Sequence, residues 1–371
     1  MHEFARGCTQ QADPLPACAA AESAIALALD AIDRLAGTYV DQVLELRHEQ
    51  TAKLATILGT TLPAQTLSEP GTRVYTNTFN AAVVPLIWRS IEPVEGEFDW
   101  SVADRQFQWL KGKSLKVCSG PLIRLDDSAV PDWLYLWDDD FEALQSYVQG
   151  YITAAVNRYK GQVQVWHCAA GLNLPSGLQL LEEQKLRLAV LAIDAVRRAD
   201  PRTPVIVSFD RPWGEYLQAD EMDLPPYHFA DALVRADLGL SGVGLEINLG
   251  YSPGGTLPRD VLELSRLIDR WSGLGVPLLT FLTSPSEPGV SPNAISKATT
   301  ISDQITGANQ ATTMRRWLTM LVAKQSVHGI LWGQFADSEA HRWPHSGLID
   351  AVGAAKPVMS VFSELRKAHL T

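Results

Sequence analysis

Five carboxylates stand where short apolar runs of this 371-residue chain give way to polar loops: Asp126, Asp210, Glu215, Glu246 and Asp337. Two carboxyl groups held a few ångströms apart, one protonated and one ionised, form the machinery that opens an acetal C–O bond. One protonates the leaving oxygen and the other acts as base or nucleophile. Near these acids in the sequence lie Arg124, Asn248 and Gln334, with Trp213 and Trp343. That mixture suits a sugar, whose hydroxyls pair with carboxylates and amides and whose C–H face is covered by an indole.

The most promising pair is Asp210 with Glu246. Each ends or nearly ends an apolar run, PVIVSFD (204–210) and SGVGLEINL (241–249), and strand alternation puts Glu246 and Asn248 on one face. Glu246 is then the expected base or nucleophile and Asp210 or Glu215 the expected acid. Arg124, Asp126, Trp213, Asn248, Gln334, Asp337 and Trp343 are expected to position sugar. Each has a plainer alternative. Glu246 could be an interior carboxylate paired with Arg124 or Arg211, and Asp210 a capping or turn residue. Trp213 and Trp343 could be packing. Pro344 between His341 and His345 breaks the helix that an i, i+4 metal pair needs, so no metal is expected there. His167 reads best as a hydrogen-bonded interior histidine.

Eight apolar runs must carry these side chains: 55–62, 79–88, 116–124, 163–170, 204–210, 241–249, 276–284 and 327–335. They are short, rich in β-branched and aromatic residues and bounded by Gly, Pro or Asp, as suits strands buried on both faces. Amphipathic segments such as 141–159, 182–199, 259–271 and 311–323 lie between them. Strict alternation of strand and helix means parallel pairing through crossover helices. Eight units in this length favour a closed (β/α)₈ barrel, a TIM barrel, over residues 55–371. Its active site belongs at the C-terminal strand ends. No GxGxxG or phosphate-loop pattern follows the first run, and no cofactor is expected. Residues 1–54 read as a loose terminus to about residue 20, then a helical extension, one long helix or two short ones, packing on the barrel.

The formal net charge of −11 repels phosphate backbones and excludes nucleic acid as an expected partner. No apolar stretch reaches about 18 residues, so no membrane span is expected. The opening MHEFARGCTQQ has no leader-like apolar core, which makes cytoplasm the default location unless the chain is a piece of a longer precursor. Cys8 and Cys18 could pair under oxidising conditions, although free thiols are the simpler reading. Cys118 and Cys168 fall inside apolar runs, where inert buried thiols are common. Oligomeric state is not readable.

Several stretches resemble glycoside hydrolase family 10, the xylanase family. Phe79-Asn80 and the segment Trp88-Arg89-Ser90-Ile91-Glu92-Pro93-Val94-Glu95-Gly96-Glu97-Phe98 are similar to its second-strand motif. Pro131-Asp132-Trp133, Ser241-Gly242-Val243-Gly244-Leu245-Glu246, Trp332-Gly333 and the closing Gly347-Leu348-Ile349-Asp350 with Lys356-Pro357 follow in the family's order. The resemblance runs from about residue 55 to 371 and implies a barrel that acts on β-linked polysaccharide or oligosaccharide. Its departures fall on the chemistry. The family's acid/base glutamate ends a strand-four motif whose counterpart here is Trp166-His167-Cys168-Ala169-Ala170-Gly171. Its nucleophile lies in a strand-seven motif whose counterpart is Leu279-Thr280-Phe281-Leu282-Thr283. Gly171 and Phe281 stand where the resemblance implies glutamates.

Three functions remain in play. The chain could hydrolyse β-linked glycans with the relocated carboxylates, which predicts an open cleft. It could bind carbohydrate without catalysis. It could be a scaffold whose barrel mouth is plugged by Phe281 and its neighbours. Fold alone does not choose among them.

Overall fold

The computed structural model describes residues 14–220 and 222–371. Its core is a closed ring of eight parallel strands, each followed by a helix. The units are β1 (Ile57–Thr61) and α2 (Glu69–Thr78), β2 (Ala81–Val84) and α3 (Ser101–Leu110), and β3 (Lys116–Ser119, continued by Ile123–Arg124) and α4 (Phe141–Tyr159). Next come β4 (Val165–Ala170) and α5 (Glu182–Ala199), β5 (Val205–Asp210) and α6 (Pro226–Arg235), and β6 (Gly242–Asn248) and α7 (Val261–Ser272). The ring is completed by β7 (Leu278–Thr283) and α8 (Gly307–Ala323), and by β8 (Val327–Trp332) and α9 (Pro357–His369). Pairing runs β3-β2-β1-β8-β7-β6-β5-β4, and β3 joins β4 through Cys118↔Val165 and Ser119↔Trp166 to close the barrel. Every run expected to be a strand contains one.

The ring is packed rather than hollow. Ile57, Ala81, Val83, Cys118, Ile206, Leu279 and Leu331 fill its interior, with Val165 and Phe281 against them. The outward strand residues and the inner helix faces form one continuous second core. Burial on both faces is why the strands read as unbroken apolar runs rather than as alternating ones.

A further long helix, α1 (Pro14–Gln50), precedes the barrel. It is a single helix and begins earlier than the pattern suggests, so residues 14–20 are helical rather than loose. Proline is tolerated in a first turn because its missing N–H has no partner there. Ala36, Val40 and Leu44 of α1 are buried against the barrel, and Asp33 meets Arg316 of α8 at 2.7 Å. Farther toward its start, Ile25, Leu27 and Leu29 are largely exposed. The Cys8–Cys18 pairing rests on Cys8, which lies outside the described residues; Cys18 is exposed on α1, while Cys118 and Cys168 are buried. Among the described residues no helix is long and apolar enough to cross a membrane.

Candidate active site

In-register parallel neighbours share a face of the sheet, so register decides what meets inside the mouth. Asp210 pairs with Glu246, Ser208 with Gly244, Glu246 with Phe281 and Asn248 with Thr283. Asp210 and Glu246 thus project side by side from adjacent strands, as the sequence suggested. The space they enter is not an open cleft: their side chains are 0% and 7% exposed.

Glu246 is held by two hydrogen bonds. Oε2 accepts a hydrogen bond from Arg124 Nη2 at 2.5 Å, and Oε1 accepts one from Ser208 Oγ at 2.5 Å. The Ser208 hydroxyl has one hydrogen, committed to Glu246, so the 2.7 Å contact between Ser208 Oγ and His167 Nε2 requires His167 to donate. Burial keeps His167 neutral by lowering it to about 4, and its ring stacks on Phe281 at a centroid distance of 4.8 Å. Burial alone would raise the Glu246 carboxyl. The charge and hydrogen bond of Arg124, helped by Arg342, pull it down instead to about 2.

Asp210 is pushed the other way. Complete burial and the neighbouring Glu246 charge raise it to about 6, against the pull of Arg342, Arg124 and Arg211. Oδ1 accepts from Asn248 Nδ2 at 3.2 Å, and Asn173 Nδ2 donates to the Asp210 backbone carbonyl at 2.9 Å. Oδ2 has no hydrogen-bond partner.

Arg342, on the long loop after β8, was not singled out by the sequence. Its guanidinium lies 3.5 Å from Asp126, 3.6 Å from Asp210 and 3.9 Å from Glu246, and over the Trp343 ring at 5.1 Å. Because one nitrogen, Nη1, serves both Asp210 Oδ2 and Glu246 Oε2, those oxygens are at most about 7.5 Å apart, within reach of glycosidase separations. Asp126 also faces Arg124 at 3.7 Å. Burial would raise Asp126, but Arg342, Arg124 and Ser128 lower it overall. Nothing in the spacing of His341-Arg342-Trp343-Pro344 signals this role, because the arginine arrives from a loop 96 positions beyond Glu246.

Arg124 also bears on Gly171. This glycine has φ +62, a left-handed conformation, and a Cβ built on it would lie 3.2 Å from Arg124 Nη1. The guanidinium would therefore be in tight contact with the first atom of a side chain at position 171. Phe281, on β7, packs into the barrel interior beside His167 and Gly244.

The other expected residues divide between neighbouring structures. Glu215 belongs to a separate group, its Oε1 3.3 Å from Arg259 Nη2, and Arg259 covers the Trp213 ring at 5.3 Å. Glu215 therefore has a cationic partner outside the Asp210–Glu246 cluster, while its Oε2 is buried without a hydrogen-bond partner. Asp337 is buried, accepts from Gly347 N at 2.6 Å and is ion-paired with Lys356, contacts that tie the β8 loop together. Trp343 is 6% exposed and stacks on Tyr251 at 4.9 Å, a packing role. Gln334 donates to the Ala336 carbonyl at 2.6 Å. Asn248 is buried and serves Asp210.

Comparison with known proteins agrees with the geometry of the ring. The sequence profile of glycosyl hydrolase family 10 matches residues 47–170, ending one residue before Gly171. Endo-1,4-beta-xylanase C of Paenibacillus barcinonensis is 29% identical over 106 residues, covering 26% of this chain and 10% of that enzyme, so the chain spans about a tenth of that relative. Native xylanase 10B from Thermotoga maritima superposes with a TM-score of 0.64 at 16% identity, covering 86% of this chain and 97% of that one. Xylanase B from Clostridium stercorarium F9 gives 0.62 at 19%, covering 83% and 96%. Xylanase 10B from Thermotoga petrophila RKU-1, solved in complex with xylobiose, gives 0.63 at 16%, covering 84% and 94%. At these identities the structural matches establish a shared fold.

Proposed function

We propose that this chain, a glycoside hydrolase family 10-like barrel, recognises β-linked polysaccharide or oligosaccharide at its C-terminal mouth without cleaving it. One observation carries the reading: Arg124 is hydrogen-bonded to Glu246 and stands over Gly171. A carboxylate clamped by a guanidinium and a serine hydroxyl is a weak base and a poor nucleophile, because both oxygens are committed and its charge is neutralised. The position that resembles the family's acid/base holds no carboxyl, and a cation fills the space beside it. The partly exposed Arg124, Asp126, Trp213 and Arg342 then supply hydrogen-bonding groups and an indole for sugar. β-Linked xylan is the first polymer to try, since the relatives above are named as xylanases.

Affinity electrophoresis and calorimetry on a panel of β-glycans should give saturable binding. Incubation from pH 4 to pH 8 should release no reducing ends. A panel on which nothing binds would sink the recognition function.

A second reading is hydrolysis by Asp210 as acid with Glu246 as base. It is favoured by the opposite displacement of two adjacent carboxyls, to about 6 and about 2, since divided roles follow divided pKa values. It requires Arg342 to leave the pair. Reducing-end release that is lost in both Asp210→Asn and Glu246→Gln would establish it and overturn the first reading.

A further inference from the structure

The contacts of Arg342 differ in kind from those of Arg124. Arg124 is anchored by a 2.5 Å hydrogen bond. Arg342 makes three ion contacts of 3.5–3.9 Å, and the oxygens it faces on Asp126 and Asp210 are buried without any hydrogen-bond partner. Buried carboxylate oxygens in that condition are unfavourable unless a nearby cation compensates them. The backbone around Arg342 is pinned: Ile295 N donates to the His341 carbonyl at 2.7 Å, Ser296 N donates to the Arg342 carbonyl at 3.2 Å, and Asp337 and Lys356 tie down the loop. The side chain, 30% exposed and lying on Trp343, has only long-range attraction holding it inward.

We propose that Arg342 is a side-chain gate over the mouth, closed by the ionised Asp210 and released when Asp210 takes a proton. This rests on the reading of the mouth as a glycan-recognition site and adds its regulation. Asp210 faces Glu246 from β6, Arg124 from the end of β3, Arg342 from the β8 loop and Arg211 beside it in the chain, with the amides Asn173 and Asn248 completing its surroundings. Glu246 stays ionised under Arg124, and Asp126 stays ionised under its two arginines. Asp210 is therefore the member of the cluster whose charge changes in mildly acidic solution. Protonation removes one of the three anions holding Arg342, and Oδ2 becomes a hydroxyl that can serve a sugar oxygen. The gate thus opens as pH falls and closes as pH rises.

The test follows the Arg342 guanidinium in ligand-free protein by NMR with labelled arginine, assigned with Arg342→Gln, from pH 7.5 to pH 5. The gate predicts a transition with its midpoint near that of Asp210, absent in Asp210→Asn, whose signal should match the low-pH state throughout. An Arg342 signal that does not titrate overturns the gate. So does a transition that persists in Asp210→Asn, which would assign it to a group other than Asp210. Calorimetry with β-1,4-xylohexaose is run alongside. The gate predicts wild-type affinity about tenfold higher at pH 5 than at pH 7.5 and pH-independent affinity for Asp210→Asn and Arg342→Gln. Equal wild-type affinity at the two pH values overturns the gate while leaving glycan recognition standing. A titrating Arg342 with no xylohexaose binding at either pH upholds the gate and counts against recognition of xylan.

Discussion

Replacing Asp210 by Asn should stabilise the protein at neutral pH, although the residue is fully buried at the centre of the candidate site. The folded carboxyl titrates near 6, against 3.8 for an ordinary aspartate, so folding holds it in an environment that disfavours its charge. Raising the carboxyl from 3.8 to about 6 corresponds to about 3 kcal/mol of stability. The sign follows from proton binding. Between about pH 4 and pH 6 the folded state binds the proton more tightly than the unfolded state does. Asp210 therefore adds stability in acid that is lost as pH rises through 6. Asparagine keeps the shape and the bond from Asn248 but carries no charge, so the difference between variant and wild type should be near zero at pH 4 and about 3 kcal/mol in favour of the variant at pH 7.5. Urea unfolding of both proteins at each pH measures this. The difference must be used rather than the wild-type curve, because buried His167, lowered to about 4, titrates in the same window with the opposite sign. An Asp210→Asn protein no more stable than wild type at pH 7.5 would refute the reasoning, since Asp210 would then be net stabilised by its arginines.

Three further outcomes are expected. Arg124→Met leaves Glu246 buried with Ser208 as its one close donor, and should lower stability by about 3–5 kcal/mol in urea unfolding at pH 7. Adding Glu246→Gln should return most of that loss, and a double variant no better than the single would show that the clamp is not electrostatic. Lys356→Met strands Asp337 in the same way, at about 3–5 kcal/mol, and limited proteolysis should then cut first within residues 333–356. Gly171→Ala places a Cβ on a residue with φ +62 and should lower stability by about 1–2 kcal/mol, read as a small drop in Tm. An unchanged or raised Tm would argue against the left-handed backbone at the end of β4.

The ring was legible because its signal is redundant. Eight runs such as PVIVSFD and VPLLTFLTS repeat the same burial on both faces, and misreading any one of them would not have hidden the barrel. Asp210 and Glu246 were legible as neighbours for a similar reason: adjacent parallel strands bring their ends to a common height. Less legible was where long side chains reach from loops. Arg342 crosses the mouth from the β8 loop. Glu215 turns to Arg259 from the next loop, and Asp337 pairs with Lys356 some nineteen positions on. No periodicity encodes such contacts, because a loop has no fixed phase relative to the strand it follows.

The charges explain why a mouth with glycine and phenylalanine at 171 and 281 still holds three buried or half-buried acids. Glu246 next to Asp210 would be untenable alone, because two carboxylates within about 7.5 Å in a buried site cannot both ionise cheaply. Arg124 keeps Glu246 anionic, and that charge adds to burial, the larger cause, in raising the pKa of Asp210. The same clamp that removes Glu246 from service as a base thus makes Asp210 responsive to pH, and Arg342 is placed to report its charge. Loss of Arg124 would disturb both acids: Glu246 would move up, and Asp210 would lose one of the cations that lower it. A pH titration of Asp210 that is unaltered by Arg124→Met would break that link and separate the two halves of the site.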